Sequence, residues 1–374
     1  MSLWLINTLL ACLVSAVFTS VLIPKILLVS FRRRLFDPVD SRKIHQGIIP
    51  RLGGIAFMPS IFFTILLLVG INTAFAQGEL WRNIQDNITE ISFTCCALLL
   101  LYLTGIIDDM IGVRYKNKFV IQILCGILLI SAGLALHDLY GVFGIQVLYK
   151  LLGFILTILV IVFIVNAINL IDGIDGLASG LSIVAMGYYG ILFIQGHQLV
   201  YAVLSFATVG TLLPFFYYNV FGNVNRGRKL FMGDTGSLTL GLILAFCSLR
   251  IANSASMLSA EANPMVAAFA PLLIPCMDVV RVFFFRIRSG KNPFTPDKNH
   301  IHHKLLAIGM PARWAMITIV LISALLTAAN VLLMRWVNVN ILLVCDVALY
   351  TVFNLWLSWR RKMRESQIVL SSER

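Results

Sequence analysis

Four acidic side chains stand where a chain this apolar can least accommodate them. Asp108 and Asp109 follow the run LLLLYLTGII, and Asp172 and Asp175 lie within NAINLIDGIDGLASG. A carboxylate at mid-bilayer costs about 2.5–3.5 kcal/mol on insertion scales, so a chain that keeps several in one zone has a use for them. The pattern points to an active site in the membrane or at its edge.

Each cluster admits a specific chemistry beside a plainer one. Two adjacent carboxylates repel unless a cation or proton intervenes. Magnesium answers this economically for Asp108 and Asp109, because it takes one or two carboxylates and leaves positions for phosphate oxygens. An ordinary charged helix end facing water would explain the pair equally well. The string from Asn166 through Asn169, Asp172 and Asp175, with Gly173 and Gly176, is more specific. Asn166 and Asn169 fall along one side of a last helical turn, and the glycines let the backbone turn sharply. The result is a row of amides and carboxylates suited to a nucleotide or a metal-bound phosphate, whereas helix capping would explain only one or two of them.

In FMGDTGS, Asp234 sits just before a helix expected to begin near Ser237. Free N–H groups at a helix start attract phosphate, and Asp234 is either a third metal ligand or an N-cap. The segment NHIHHK supplies His300, His302 and His303 without the i,i+4 spacing or the accompanying Glu or Cys of familiar zinc sites. Contact with phosphate and management of protons suit it better. The preceding SGKNPFTPDKN reads as a loop returning to the membrane. Lys43, His45 and Arg51 share a loop with Gly47, Gly53 and Gly54, a mix able to cradle a diphosphate. Asp278 and Arg281, three apart, are expected to pair structurally on one helix face. His137 and His197 receive no function.

These residues must be positioned by membrane helices. Hydrophobic residues make up 59% of the 374 and charged residues only 12%, which excludes a soluble globular class. The apolar runs lack the alternation of barrel strands, so the fold class is all-α, a polytopic membrane helical bundle. Windows of about 20 apolar residues give eleven expected spans: 3–30, 53–72, 91–107, 119–136, 151–168, 177–195, 199–218, 237–252, 264–285, 314–334 and 341–359. The first reads as an uncleaved signal anchor. The seven cysteines all lie in apolar runs and form no CxxC pair, so they read as small core residues.

Positive charge alternates from loop to loop. One side carries Arg32, Arg33, Arg34, Arg42, Lys43 and Arg51, then Lys116 and Lys118, Arg228 and Lys229, Arg286 and Lys304, and the tail from Arg360. The other has only Arg82, Lys150, Arg250 and Arg335. By the positive-inside rule the N-terminus is periplasmic and the C-terminus cytoplasmic, as an odd number of spans requires. Every conspicuous polar cluster then falls on the cytoplasmic face. No repeat or long linker divides the chain, so 1–374 is expected to form one integral-membrane domain with its active site on that face.

Taken together, GIIDDMIGV, NAINLIDGIDGLASG, FMGDTGS and HIHH, in this order and on one face, resemble the polyprenyl-phosphate N-acetylhexosamine-1-phosphate transferases. The resemblance runs from the first cytoplasmic loop to about Lys304. The His-x-His-His form is similar to the branch that transfers N-acetylglucosamine-1-phosphate from UDP-N-acetylglucosamine to undecaprenyl phosphate, releasing UMP. That branch starts enterobacterial common antigen and many O-antigen chains in the bacterial inner membrane. The muramoyl-pentapeptide branch shows three consecutive histidines, a run that Ile301 breaks here.

The resemblance implies magnesium, with manganese as the alternative ion, organised by Asp108, Asp109 and Asp234. Asp108 or Asp109 is also available to deprotonate the lipid phosphate. It gives Asn166, Asn169, Asp172 and Asp175 to nucleotide binding or to shaping the site, with Lys43 and His45 as further substrate contacts. It gives His300, His302 and His303 to the diphosphate or sugar phosphate, the last two in a catalytic role. A homodimer is compatible with it, and no nucleic acid is implied.

Elementary physics points the same way. A polyprenyl chain gains about 0.8 kcal/mol per buried CH₂, which keeps the acceptor in lipid while a sugar nucleotide stays in water. Two anionic substrates need a cation and a basic rim to meet, which accounts for the net charge of +12. A secondary transporter would instead carry its polar groups at mid-membrane on broken, repeat-related helices. A sibling transferase using another UDP-sugar is the nearer alternative.

Overall fold

The computed structural model describes residues 2–33, 49–75, 79–290, 292 and 299–372. Fourteen α-helices occupy these residues. They are α1 (Ser2–Arg33), α2 (Phe57–Ala74), α3 (Glu79–Asp86), α4 (Ile88–Ile111), α5 (Tyr115–Ser131), α6 (Lys150–Ile171) and α7 (Leu177–Gln195), then α8 (Leu199–Phe221), α9 (Gly233–Ala252), α10 (Pro264–Phe269), α11 (Leu273–Arg288), α12 (Ile301–Ala307), α13 (Ala312–Leu333) and α14 (Val339–Ser372). The expected all-α bundle is the observed one. Lipid offers the backbone no partners, so each apolar run must satisfy its own N–H and C=O groups, and the helix does this within one segment. Polar side chains inside the spans follow the same rule. Thr64, Thr208 and Thr239 donate to the carbonyls of Ser60, Leu204 and Thr235, at 2.8, 2.8 and 2.6 Å.

Ten helical segments among the described residues are long and apolar enough to cross a membrane. The eleventh expected span, 119–136, appears as α5, whose 17 residues extend about 25 Å at 1.5 Å per residue. Its direction is fixed by its neighbours. The end of α4 and the end of α6 both reach the start of α9, through Asp109 and Asn169. The chain between them must therefore run to the far end of the bundle and back, and α5 makes that pass. The expected span 264–285 is broken into α10, a 3₁₀ turn at Ala270–Leu272, and α11. Pro271 and Pro275 lack the N–H groups a continuous helix needs.

Helix α9 is the axis. It packs against α4, α6, α7 and α10, and it is buried along almost its whole length. Glycines let neighbours approach. A Cβ at Gly241 would lie 2.7 Å from Cα of Val165 on α6, and one at Gly210 of α8 would lie 2.1 Å from the Cys12 carbonyl oxygen on α1. The start of α1 lies at the end of the bundle away from the aspartates, where Trp4 meets His197 edge-on and Asn7 pairs with Asn72. Helix α14 ends on the aspartate side, where Ser358 accepts from Lys304 at 3.0 Å. Its 34 residues carry the basic run from Arg360 beyond any apolar segment.

Candidate active site

The site grows from the start of α9. Asp109 on α4 accepts three hydrogen bonds there, from the backbone N–H groups of Asp234 and Thr235 at 2.8 and 2.9 Å and from the Thr235 hydroxyl at 2.6 Å. A carboxylate at a helix N-terminus satisfies orphan donors and meets the positive end of the dipole. This is why α9 starts at Gly233 rather than near Ser237. The cap comes from another helix, so local sequence does not announce it. The contact needs two glycines. A Cβ at Gly105 would sit 2.5 Å from Cα of Thr235, and one at Gly233, whose φ is +71°, would sit 2.1 Å from the Arg51 carbonyl oxygen.

With Asp109 turned to these amides, Asp108 and Asp234 face one another across Lys118 of α5. The Lys118 ammonium lies 2.8 Å from Asp234 Oδ2 and also pairs with Asp108 Oδ2. Asp108 Oδ1 accepts from the Val113 N–H at 2.6 Å, and Asp234 Oδ1 accepts from Asn169 Nδ2 at 2.6 Å. Asn169 also reaches the Ser237 hydroxyl at 2.8 Å. No three His, Cys, Asp or Glu side chains close around one point among the described residues. Two carboxylates from separate helices nevertheless already share a cation. These are hard oxygen donors of the kind that suit magnesium, so the donor set fits a divalent ion between Asp108 and Asp234.

The glycine turns after α6 complete one wall. Asn166 pairs with Gln122 of α5 at 2.7 Å rather than facing the aspartates. Asp175 is held by Lys229 at 2.5 Å, and the Gly176 N–H donates to Asn219 Oδ1 at 2.6 Å. Burial, then the charges of Asp175, Asp234 and Asp109, push the Asp172 carboxyl up to about 7.

The histidine motif forms the facing wall. His300 precedes α12, and His302 and His303 lie in its first turn, so the segment is helical where a loop end is expected. His302 presses on the turn itself, since a Cβ at Gly173 would be 2.1 Å from its Nε2. It is 1% exposed and neither ring nitrogen has a hydrogen-bond partner. Burial, then the neighbouring His303 and His300, bring its pKa down to about 3, so a neutral ring stands over Gly173. His303 packs beside it at 4.2 Å between centroids. The first loop reaches the site through backbone pairing. Gly53 and Gly54 donate to the carbonyls of Phe231 and Met232 at 3.0 and 2.8 Å. Lys43 and His45 lie outside the described residues, as do Lys291 and residues 293–298.

Comparison with known proteins bears on this arrangement. The Glycosyl transferase family 4 profile matches residues 91–252. An undecaprenyl-phosphate alpha-N-acetylglucosaminyl 1-phosphate transferase of Yersinia pestis is 31% identical over 306 residues, covering 81% of this chain and 78% of that protein. The Escherichia coli K12 protein of the same name is 31% identical over 80% and 76%. A probable undecaprenyl-phosphate N-acetylglucosaminyl 1-phosphate transferase of Bacillus subtilis is 30% identical over 88% and 86%. The chain belongs to glycosyl transferase family 4. It is a sugar-1-phosphate transferase, as the motif resemblance leads one to expect. The family 4 match runs from α4 through α9 and carries all the aspartates of the cluster, while the histidine motif lies beyond it.

Several residues of this family 4 site escape a motif reading. Lys118 and Lys229 look like ordinary loop charges, yet each is bound to an aspartate. Thr235 sits inside a recognised motif, but its role depends on Asp109 arriving from another helix. Gln122 is a lone amide in an apolar run and was the available signal for a partner of Asn166.

Proposed function

We propose that this transferase moves N-acetylglucosamine-1-phosphate from UDP-N-acetylglucosamine to undecaprenyl phosphate at the cytoplasmic face of a bacterial inner membrane, with UMP as the other product. We read the whole chain as one catalytic domain, acting in the first membrane step of O-antigen or enterobacterial common antigen synthesis. The observation that carries the proposal is the meeting of α4, α5, α6, α9 and α12 at one end of the bundle. Asp109 lies 2.8 Å from the Asp234 N–H, Asn169 lies 2.6 Å from Asp234, and His302 rests against Gly173. The relatives, named as undecaprenyl-phosphate alpha-N-acetylglucosaminyl 1-phosphate transferases, support the transferred group and the acceptor.

Each residue has a task. Asp108 and Asp234 would hold the ion, and Asp109 keeps the α9 end in register with them. Bound magnesium, or manganese in its place, would offset phosphate charge and polarise the transferred phosphoryl group. Lys118 is placed to meet phosphate as well as carboxylate. Asn169, Asp172 and Asp175, with Asn166 behind them, would shape the nucleotide side. His300, His302 and His303 would meet the diphosphate, His302 as a neutral partner able to give or accept one hydrogen bond. In the transfer, a lipid phosphate oxygen bonds to the sugar-side phosphorus while the bond to the UMP oxygen breaks.

Radiolabelled UDP-N-acetylglucosamine, undecaprenyl phosphate and magnesium incubated with the purified protein test the proposal. UMP and a lipid-soluble label are expected together. Label transferred only from a different UDP-sugar would favour a sibling specificity, and neither product would overturn the assignment.

A further inference from the structure

Arg281 is one of four partners of Asp278. This carboxylate is fully buried in α11 and is hydrogen-bonded to residues at the start of α12 and on α14. Its Oδ1 accepts from Arg281 at 2.8 Å, from the Tyr350 hydroxyl at 2.9 Å and from the Ile301 N–H at 3.0 Å. Its Oδ2 lies 2.7 Å from His300 Nδ1. Arg281 in turn donates to the Asn299 carbonyl at 2.5 Å. Three consecutive residues, Asn299, His300 and Ile301, are thus gripped by one Asp–Arg pair before α12 begins.

A simple intrahelical ion pair needs none of this. Burying a carboxylate costs several kcal/mol unless its lone pairs are satisfied, and here one whole oxygen is given to a histidine ring. An ionised carboxylate can only accept, so a proton sits on His300 Nδ1; a diphosphate oxygen can likewise only accept, so contact with it needs a proton on Nε2 as well. We propose that Asp278 is a positioning residue for His300. It fixes the ring's orientation and balances the imidazolium that would meet the diphosphate, and Tyr350 from the C-terminal helix completes the support. The inference rests on the reading of His300 as a diphosphate contact.

The substitution Asp278→Asn separates positioning from mere structure. Oδ1 has three donors to accept, so the asparagine keeps its oxygen there and turns its NH₂ toward His300. Nδ1 must then accept, so the ring can carry only the Nε2 proton and loses its positive charge. In ¹⁵N-histidine spectra of the whole chain in detergent with UDP and magnesium, with His300→Ala supplying the assignment, the His300 pattern should switch from doubly protonated to Nε2–H alone.

UDP affinity in magnesium gives the functional arm. Asp278→Asn and His300→Ala should each weaken binding on the order of tenfold, and the double variant should fall within about threefold of His300→Ala alone. Losses that multiply, an unchanged His300 spectrum, or an Asp278→Asn protein that binds UDP as the wild type does would overturn the inference. His300→Ala binding UDP normally would instead sink the reading of His300 itself. Should Asp278→Asn fail to fold, Tyr350→Phe in the same cycle decides. A few-fold weakening that disappears in the His300→Ala background supports the inference, and equal weakening in both backgrounds rejects it.

Discussion

Asp109 and Asp234 are both acidic, but their surroundings give them different work. Asp109 spends its oxygens on three donors at the start of α9, whereas Asp234 faces Lys118 and Asn169. Asp109→Asn puts an amide NH₂ against one of those donors, an error worth about 1–3 kcal/mol when a buried partner is lost. It should lower both the thermal midpoint in detergent and the turnover. Asp234→Asn should abolish turnover with little change in midpoint. Equal destabilisation by both would mean that the capping role is misassigned. Asp172 makes a separate prediction, because its carboxyl is raised to about 7 from an unfolded value of about 3.9. Between those values the folded chain holds a proton that the unfolded chain has released, so its stability falls as pH rises through this window and levels off above it. With metal chelated, Asp172→Asn should therefore melt higher than the wild type at pH 8, and the gap should close as pH falls toward 4. A gap that is constant with pH would contradict the shift.

At the level of elements, the site depends on how closely α4 and α9 approach. Gly105 is the contact, and a side chain there meets the backbone of Thr235 rather than a movable tip. Gly105→Val should cost about 1–3 kcal/mol of stability through overpacking. It should also reduce turnover by pulling Asp109 off its donors, whereas Gly70→Val on α2, where a Cβ meets nothing within 4 Å, should leave turnover unchanged. Matching losses at the two positions would refute this account of the α4–α9 contact. The elements themselves were largely legible, because an apolar run of span length has few ways to satisfy its backbone. The exceptions have local causes. The start of α9 shifted because its cap is supplied by Asp109 from α4, and the 264–285 span broke at prolines whose effect a hydropathy window averages away. Helix α3 was missed because Leu80 and Ile84 bury only two apolar side chains in a polar stretch.

Over the whole molecule, the motifs could name the site's members but not its pairings. Asp108, Asp109, Asp234 and the histidines are visible as polar residues in apolar company, while Lys118 and Tyr350 matter only once α5 and α14 have packed. The bundle places the start of α1 opposite the aspartates and the end of α14 beside them. The topology we propose from the positive-inside rule puts the tail in the cytoplasm. A single cysteine at Arg361 should accordingly react with an impermeant maleimide in inverted vesicles and be protected in spheroplasts, and the opposite pattern would reverse the topology.

The central claim is that carboxylates from α4 and α9 share one divalent ion where the lipid acceptor and the soluble donor meet. Manganese titration followed by electron paramagnetic resonance tests it most directly, on the wild type, Asp108→Asn and Asp234→Asn in detergent with UDP present. The account predicts one ion bound per chain and an affinity loss of at least about tenfold in each variant, the cost of removing one charged ligand of a small oxygen site. Wild-type manganese affinity in both variants would contradict it.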